Sequence, residues 1–365
     1  MGIGVESVER GRLTLGWNEV TGAIGDSITV LPLVVALALL TSVSLPHVLI
    51  AFGVFQIVWG VRYGLPVSVE PMKALAALAI AGVLSYAELV AAGLVLGVVL
   101  LVIGITGTLS RVQRYVGEPV VRGVQFAVGL LLLETGLSLA AGNPPVAAAG
   151  VAVVVGVAAV GYRSAGPLVV LVVGVGAAVA TAGVPAPGWP GTPPVPELGS
   201  ALSWEIADGV FAQLAMTIGN AALATSLLFS DLFDADVSPD ALSTSMGVTN
   251  LLAIPAGGLP MCHGCDGVAG KHAFGARTGG ANVVLGVLYL LAAAFATTAL
   301  LAAFPLALLG VLLAIVSLSL AGHVRESPNV LLSVAIGVLA VLTNLGVAFV
   351  VGIVLDTLRA PRPLL

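Results

Sequence analysis

Two similar stretches of sequence decide how this chain folds. Residues 64–73 read GLPVSVEPMK and residues 258–267 read GLPMCHGCDG, at an offset of 194 residues. In the first stretch, residues 67–69 (VSV) favour a short strand, and a residue that precedes proline is biased away from helix. Pro71 suits the first position of a helix. We therefore predict that each stretch is a short extended segment leading into a helix.

The offset of 194 residues persists upstream of these stretches. Residues 24–26 (IGD) match residues 218–220 (IGN), and residues 53–56 (GVFQ) match residues 247–250 (GVTN). Glycine and valine are common in this chain, so each match is weak alone, but the matches keep their order without a gap. The chain therefore contains an internal repeat.

The composition places the chain in a lipid bilayer. Of its 365 residues, 59% are hydrophobic and only 8% are charged, whereas soluble domains carry about a quarter charged residues. A soluble core cannot bury this much apolar surface. Two cysteines are too few for a disulfide scaffold, and 13 basic against 18 acidic residues offer no basic surface to nucleic acid. We expect the lipid bilayer as a partner and no nucleic acid.

Long charge-free windows predict an all-α polytopic membrane protein with about 14 membrane elements, seven in each repeat, since one span needs about 20 apolar residues. Elements three and ten are predicted to be broken into a short strand plus a half-helix. The predicted elements lie near residues 20–41, 46–63, 65–84, 87–109, 118–140, 145–162, 165–183, 206–229, 239–256, 258–276, 279–302, 304–321, 328–343 and 345–358.

The repeat divides the chain into four parts. Residues 1–183 form the first predicted repeat, residues 205–358 the second, and residues 359–365 a short cytoplasmic tail. The proline-rich residues 184–204 join the repeats as an extracellular linker. Because each repeat has an odd number of elements, the second copy is inverted relative to the first, which is typical of secondary transporters.

The basic residues set the orientation in the cell membrane. With both termini cytoplasmic, 12 of the 13 basic residues fall at cytoplasmic ends of the predicted elements, as the positive-inside rule requires. These are Arg10, Arg12, Arg62, Arg111, Arg114, Arg122, Arg163, Lys271, Arg277, Arg325, Arg359 and Arg362. Lys73 is then the only cation predicted in the membrane interior. The tryptophans are expected to anchor the membrane interfaces; they are Trp17, Trp59, Trp189 and Trp204.

The repeat also indicates where a substrate binds. Inverted-repeat transporters hold substrates near the bilayer midplane, between broken helices. Two helix N-termini that face each other there offer free N–H groups and positive dipoles to an anion. Lys73 either adds a cation to this site or forms a structural salt bridge with Glu70 or Asp26. Glu70 is predicted to cap the helix that follows, and the alternative is that it carries a proton and couples transport to proton movement.

Other polar residues in the predicted elements are also matched between the repeats. Asp26 and Asn220 occupy equivalent positions, so they either face the cavity between the repeats or form buried hydrogen bonds; Gln56 and Asn250 are expected to join helices. The run Cys262-His263-Gly264-Cys265 suggests a metal site or a Cys–His dyad, but neighbours on an extended segment point to opposite sides. We therefore expect no metal, no cofactor and no catalysis there.

These motifs resemble those of the molybdate transporter family, which is related to the SulP sulfate permeases. The resemblance covers nearly the whole chain. It rests on Gly25-Asp26, Leu31-Pro32, residues 70–74 (EPMKA), residues 260–264 (PMCHG) and residues 274–279 (FGARTG). It implies the seven-plus-seven inverted-repeat fold shared with nucleobase permeases, with a core and a gate domain. SulP proteins usually end in a STAS domain; only seven residues follow the last predicted element here, so the resemblance implies the branch without it.

The resemblance implies secondary active transport of a tetrahedral oxyanion, molybdate or sulfate, by a protein that is not an enzyme, with a homodimer as one candidate assembly. Alternatives are a proton-coupled nucleobase or bicarbonate carrier of the same fold, and an integral-membrane enzyme that uses Cys262 and His263. Many relatives carry Gln where this chain has Glu70, and small residues where it has Cys265 and Asp266. The two extra acids would repel an anion unless they are protonated or cap helices.

The residues expected to contact the anion lie in both repeats. They are Asp26, Ser68, Val69, Glu70, Lys73, Asn220, Cys262, His263 and Gly264, and Glu70 is also the expected coupling group.

Overall fold

A computed structural model describes residues 13–109, 111, 115–162, 165–197 and 203–359. The chain is mostly helical, and two very short strands, β1 (Glu70–Pro71) and β2 (Met261–Cys262), interrupt the helices. Thr217–Ala224 form a π-helical segment, and His323–Glu326 form a 3₁₀ turn. The helices are α1 (Trp17–Leu40), α2 (Leu45–Tyr63), α3 (Lys73–Ile80), α4 (Tyr86–Thr106), α5 (Glu118–Ala141), α6 (Pro144–Ala159), α7 (Gly166–Ala182), α8 (Trp204–Met216), α9 (Thr225–Phe233), α10 (Pro239–Ala253), α11 (Cys265–Ala273), α12 (Gly280–Phe295), α13 (Thr298–Ala302), α14 (Leu306–Gly322), α15 (Val330–Leu342) and α16 (Leu345–Arg359).

Several helices are long and apolar enough to cross a membrane. Within the described residues there are five: α2, α4, α5, the continuous run from α8 to α9, and α14 with its 3₁₀ turn. Helix α1 makes a sixth when the two halves on either side of its 45° bend are counted together. Pro32 explains the bend. A proline ring clashes with the carbonyl four residues before it, here that of Ile28, and proline has no N–H to donate to that carbonyl. The prediction of a multi-pass, mostly helical membrane protein is confirmed.

The two Gly-Leu-Pro stretches meet as antiparallel strands. Glu70 pairs with Cys262 and Pro71 pairs with Met261, and β1 and β2 form a two-stranded sheet. The strand was predicted at residues 67–69, but these residues have no regular secondary structure and the strand begins directly after them, at Glu70. The pairing satisfies backbone groups at membrane depth, where an open strand edge would be costly. It therefore brings the starts of α3 and α11 close together.

The start of α3 differs from the prediction. Glu70 was predicted to cap this helix and Pro71 to open it, and both predictions are wrong because the two residues form β1 and the helix begins at Lys73. The side-chain oxygen of Gln213, from α8, instead accepts the hydrogen bond of the Ala74 amide at 2.9 Å. A residue from the second half of the chain therefore satisfies the first turn of α3.

Glycines allow helices from the two halves to pack closely. Helix α2 packs against α12 and α5 packs against α14. A Cβ atom at Gly53 in α2 would lie 2.8 Å from the carbonyl oxygen of Gly286 in α12. At Gly136 in α5 it would lie 2.9 Å from the carbonyl oxygen of Gly310 in α14. Small residues at such crossings are how helices associate in a membrane, where van der Waals contact replaces the hydrophobic effect.

A buried ion pair of Lys271 with Asp26 corrects the prediction that Lys271 lies at a cytoplasmic end. Lys271 was predicted at a cytoplasmic end, with Lys73 as the only interior cation. In the structure Lys271 is fully buried in α11, with its Nζ 3.0 Å from Oδ2 of Asp26 in α1. The ammonium also donates to Gln56 Oε1 at 2.9 Å and to the Val67 carbonyl at 2.7 Å. Lys271 therefore joins α1, α2 and the extended segment before β1, which its sequence position did not reveal.

Replacing Lys271 with methionine is expected to destabilise the protein strongly. The change leaves the Asp26 carboxylate buried without its cation, and breaking a buried pair in this way costs about 3–5 kcal/mol. The measurement is thermal unfolding of the purified protein in detergent. The double variant Lys271→Met with Asp26→Asn should recover part of the loss, because no unpaired charge remains. A single variant that unfolds at the wild-type temperature would contradict the role given to this pair.

Candidate functional site

The candidate site lies where the N-termini of α3 and α11 meet. Lys73 is the first residue of α3, and Gly264 is the residue that immediately precedes α11. The Glu70 carboxylate, on β1, packs directly against Gly264, so that a Cβ at Gly264 would overlap it. Glu70 is 1% exposed, and its Oε2 has no hydrogen-bond partner among the described residues. An unsatisfied carboxylate oxygen thus lies buried at the start of a helix.

Lys73 is held by two acids. Its buried Nζ donates to Oδ2 of Asp266 at 2.8 Å and lies 3.4 Å from Oε1 of Glu70. The sequence suggested Glu70 or Asp26 as its partner, but Asp26 pairs with Lys271 instead. Asp266 was not predicted as a partner because 193 residues separate it from Lys73, and only the meeting of the two helix starts brings them together. When all three groups are ionised, the cluster carries a formal charge of −1.

The first turn of α11 offers backbone donors. In the described part of the structure, the backbone amides of Cys265, Asp266 and Gly267 donate no hydrogen bond. The first hydrogen bond of the helix runs from the Val268 amide to the Gly264 carbonyl. Free amides of a first turn and the helix dipole favour a negative charge. The site thus combines one buried ammonium with helix N-termini.

Three residues expected to contact the anion lie in the support behind the site. The Asp26 carboxylate is fully buried and accepts from Ser68 Oγ at 2.7 Å and from Gln56 Nε2 at 2.9 Å. Gln56 also donates to the Val69 carbonyl at 3.1 Å. Asn250, which matches Gln56 in the repeat, binds both the amide and the carbonyl of Met261 at 2.7 and 2.8 Å. The two amides hold the extended segments rather than simply joining helices.

His263 is buried and both of its ring nitrogens have partners. Nδ1 lies 2.7 Å from the Ser68 carbonyl and must donate to it, and Nε2 lies 2.7 Å from Ser245 Oγ. Trp59 and Tyr63 meet the imidazole edge to face. Trp59 was predicted as an interface anchor, but its indole donates to a threonine of α10 and packs beside His263. These contacts fix His263 in place and leave neither of its ring nitrogens free to act as a base for Cys262.

The second side of the site is more exposed. Cys265, Asn220 and Asp266 are only partly buried, and the thiol of Cys265 donates to Asn220 Oδ1 at 2.6 Å. His323, in the 3₁₀ turn after α14, places Nε2 3.9 Å from Oδ1 of Asp266. Nothing in the sequence pointed to His323. Glu70 and Lys73 are almost fully buried, so these four residues form the more exposed side of the site.

The fold is that of known membrane anion transporters. The transmembrane domain of the cyanobacterial bicarbonate transporter BicA superposes with a TM-score of 0.65 at 17% identity, over 91% of this chain and 97% of that one. A structure of SLC26A9 superposes with a TM-score of 0.68 at 15% identity, over 93% of this chain and 64% of that one. The chain therefore has the fold of these membrane proteins.

The family follows from the sequence. Residues 18–132 and 205–320 match the family model described as "Molybdate transporter of MFS superfamily", and the chain belongs to this family. Molybdate transporter 2 of Arabidopsis thaliana is 27% identical over 83% of this chain and 78% of its own length. Molybdate transporter 1 of Chlamydomonas reinhardtii is 28% identical over 95% of this chain and 92% of its own length. The resemblance inferred from the motifs is confirmed, and the protein is a transporter rather than an enzyme.

Replacing Gly264 with alanine is expected to lower the unfolding temperature, because the new methyl group would overlap the Glu70 carboxylate. Overpacking of this kind costs about 1–3 kcal/mol. The matched control is Gly176→Ala on α7, where a Cβ meets nothing within 4 Å. Shortening Glu70 to serine in the Gly264→Ala protein should restore stability. Equal unfolding temperatures for Gly264→Ala and Gly176→Ala would argue against this contact.

Proposed function

We propose that this protein is a secondary active transporter of molybdate, with sulfate as the competing oxyanion, and that the anion binds between the starts of α3 and α11. The single observation that carries the site is the buried Lys73 ammonium at the junction of two helix N-termini. A tetrahedral oxyanion presents acceptors on all sides, so it can bind an ammonium and first-turn amides together. Membership of the family supports the choice of substrate.

We propose that the chain consists of two inverted repeats of seven elements, residues 1–183 and 205–358, joined by residues 184–204. Elements three and ten are β1 with α3 and β2 with α11. Reciprocal packing supports this arrangement. Helix α2 packs against α12 while α4 packs against α10, so the second element of each repeat contacts the fourth element of the other. The antiparallel pairing of β1 with β2 fits the same symmetry. Cytoplasmic termini remain part of the proposal, supported by the basic residues other than Lys73 and Lys271.

The expected contact residues divide into two groups in this proposal. Lys73, Glu70, Asn220 and Gly264 border the junction where the anion binds. The others support the junction from behind; they are Asp26, Ser68, Val69, Cys262 and His263. Asp26 belongs to the second group because its carboxylate is fully buried and already bound by Ser68, Gln56 and Lys271.

Charge balance makes Glu70 the proposed coupling group. Molybdate and sulfate are dianions, and the site already carries a formal charge of −1. Repulsion between an ionised Glu70 and the anion is strong in a low-dielectric interior. The Glu70 Oε2 atom lacks a partner, so a proton on this oxygen breaks no existing hydrogen bond. Uptake of one proton with the anion would make the transport a symport.

Replacing Lys73 with glutamine is expected to weaken molybdate and sulfate binding at least tenfold, because the buried ammonium at the junction is lost. Lys73→Arg keeps the charge and should bind within a few-fold of wild type. Binding is measured by titration calorimetry on the purified protein, with molybdate, tungstate, sulfate, bicarbonate and uracil compared. Thermal unfolding is measured alongside, since two acids lose their cation. Wild-type affinity in a folded Lys73→Gln protein would move the anion site elsewhere.

Replacing Glu70 with glutamine is expected to preserve anion binding but to abolish proton-driven accumulation. Glutamine keeps the shape of the side chain and carries no titratable proton. Binding should become nearly independent of pH between about 5 and 8, and proteoliposomes with an imposed proton gradient should no longer concentrate labelled molybdate. Glu205→Gln, an exposed acid at the start of α8, is the control and should transport like wild type. A Glu70→Gln protein that still accumulates the anion with the wild-type pH profile would remove Glu70 as the coupling group.

A further inference from the structure

Asp266 forms an ion pair with Lys73, the cation to which the anion is proposed to bind. Its Oδ2 lies 2.8 Å from Lys73 Nζ, the shorter of the two carboxylate contacts of that ammonium. Its backbone is in the first turn of α11, beside the free amides. A tetrahedral oxyanion bound to Lys73 and these amides would meet this carboxylate at the same place. Substrate and Asp266 therefore compete for one position.

Of the two acids, only Asp266 has room to move. Glu70 is fixed by strand pairing, is 1% exposed and packs against Gly264. The Asp266 side chain is 26% exposed and lies on the accessible side of the site. Its other carboxylate oxygen, Oδ1, already lies 3.9 Å from Nε2 of His323. His323 can donate from Nε2 in its neutral or its protonated form.

We propose that Asp266 is a tethered competitor of the substrate: it binds Lys73 in the empty transporter and transfers to His323 when the oxyanion takes its place. This inference rests on the proposed function, because it assumes that the anion binds Lys73. Asp266 then lowers the affinity for the anion, so that a higher concentration of the dianion is needed to fill the site. Since His323 follows α14 and Asp266 lies in α11, the exchange also shortens the existing contact between these two parts of the chain when substrate binds.

The first test is the affinity of Asp266→Asn, which keeps the shape of the side chain and removes its charge. Molybdate should bind about tenfold more tightly than to wild type, measured by titration calorimetry at fixed pH and salt. Asp231→Asn removes the same charge from an exposed residue in α9 and should leave the affinity unchanged. Asp266→Ser serves as a second variant if the asparagine protein is unstable, and the same gain is expected.

The second test is a double-mutant cycle with His323→Gln. This change should weaken molybdate binding several-fold when Asp266 is present and have no effect in the Asp266→Asn protein, because only the displaced carboxylate needs His323. An equal loss in both backgrounds would place His323 in direct contact with the anion and overturn the exchange. If wild type binds molybdate and both folded Asp266 variants bind it equally or more weakly, Asp266 does not compete with the substrate. If wild type binds none of the oxyanions, the proposed function itself fails and this inference fails with it.

Discussion

The antiparallel pairing of β1 with β2 is the interaction on which the site depends. Chain that leaves a helix inside a membrane must find partners for its backbone groups within the protein. Here two extended segments partner each other, with Glu70 opposite Cys262 and Pro71 opposite Met261. Gln56 also donates to the Val69 carbonyl, and Asn250 binds the amide and the carbonyl of Met261. The pairing fixes where α3 and α11 begin, and with them the positions of Lys73 and Asp266.

The two copies of the repeat are complementary rather than identical at this junction. Glu70 corresponds to Gly264 at the offset of 194 residues, and its carboxylate fills the space that the missing side chain leaves. Gly267, which corresponds to Lys73, leaves room for the hydroxyl of Ser68 and the carboxylate of Asp26. At these two matched positions the first stretch carries a charged side chain and the second carries a glycine that leaves space. An exact repeat could not build this site, because two side chains would occupy one volume.

The two groups of buried charges in the interior have different roles. The fully buried pair of Asp26 and Lys271 is saturated by further hydrogen bonds and holds α1, α11 and the first extended segment together. The cluster of Lys73 with Glu70 and Asp266 has one unsatisfied oxygen and one partly exposed acid. Buried charges without full compensation are costly, so they persist where function requires them. This contrast separates the structural pair from the proposed binding site.

The sequence alone determined the membrane location, the family and the two segments that form the junction. Composition reports burial in lipid directly, and the Gly-Leu-Pro stretches carry backbone preferences that act locally. It did not determine which charges meet. Lys271 was placed at a membrane surface because the positive-inside rule counts positions along the chain and not burial. Glu70 was assigned as a helix cap because a proline after it is locally compatible with a helix start, whereas strand pairing across about 190 residues of chain moved the start to Lys73. The partners Asp266, Gln213 and His323 come from distant parts of the chain, and only the packed tertiary structure brings them to the starts of α3 and α11, since such contacts leave no periodic signal in one sequence.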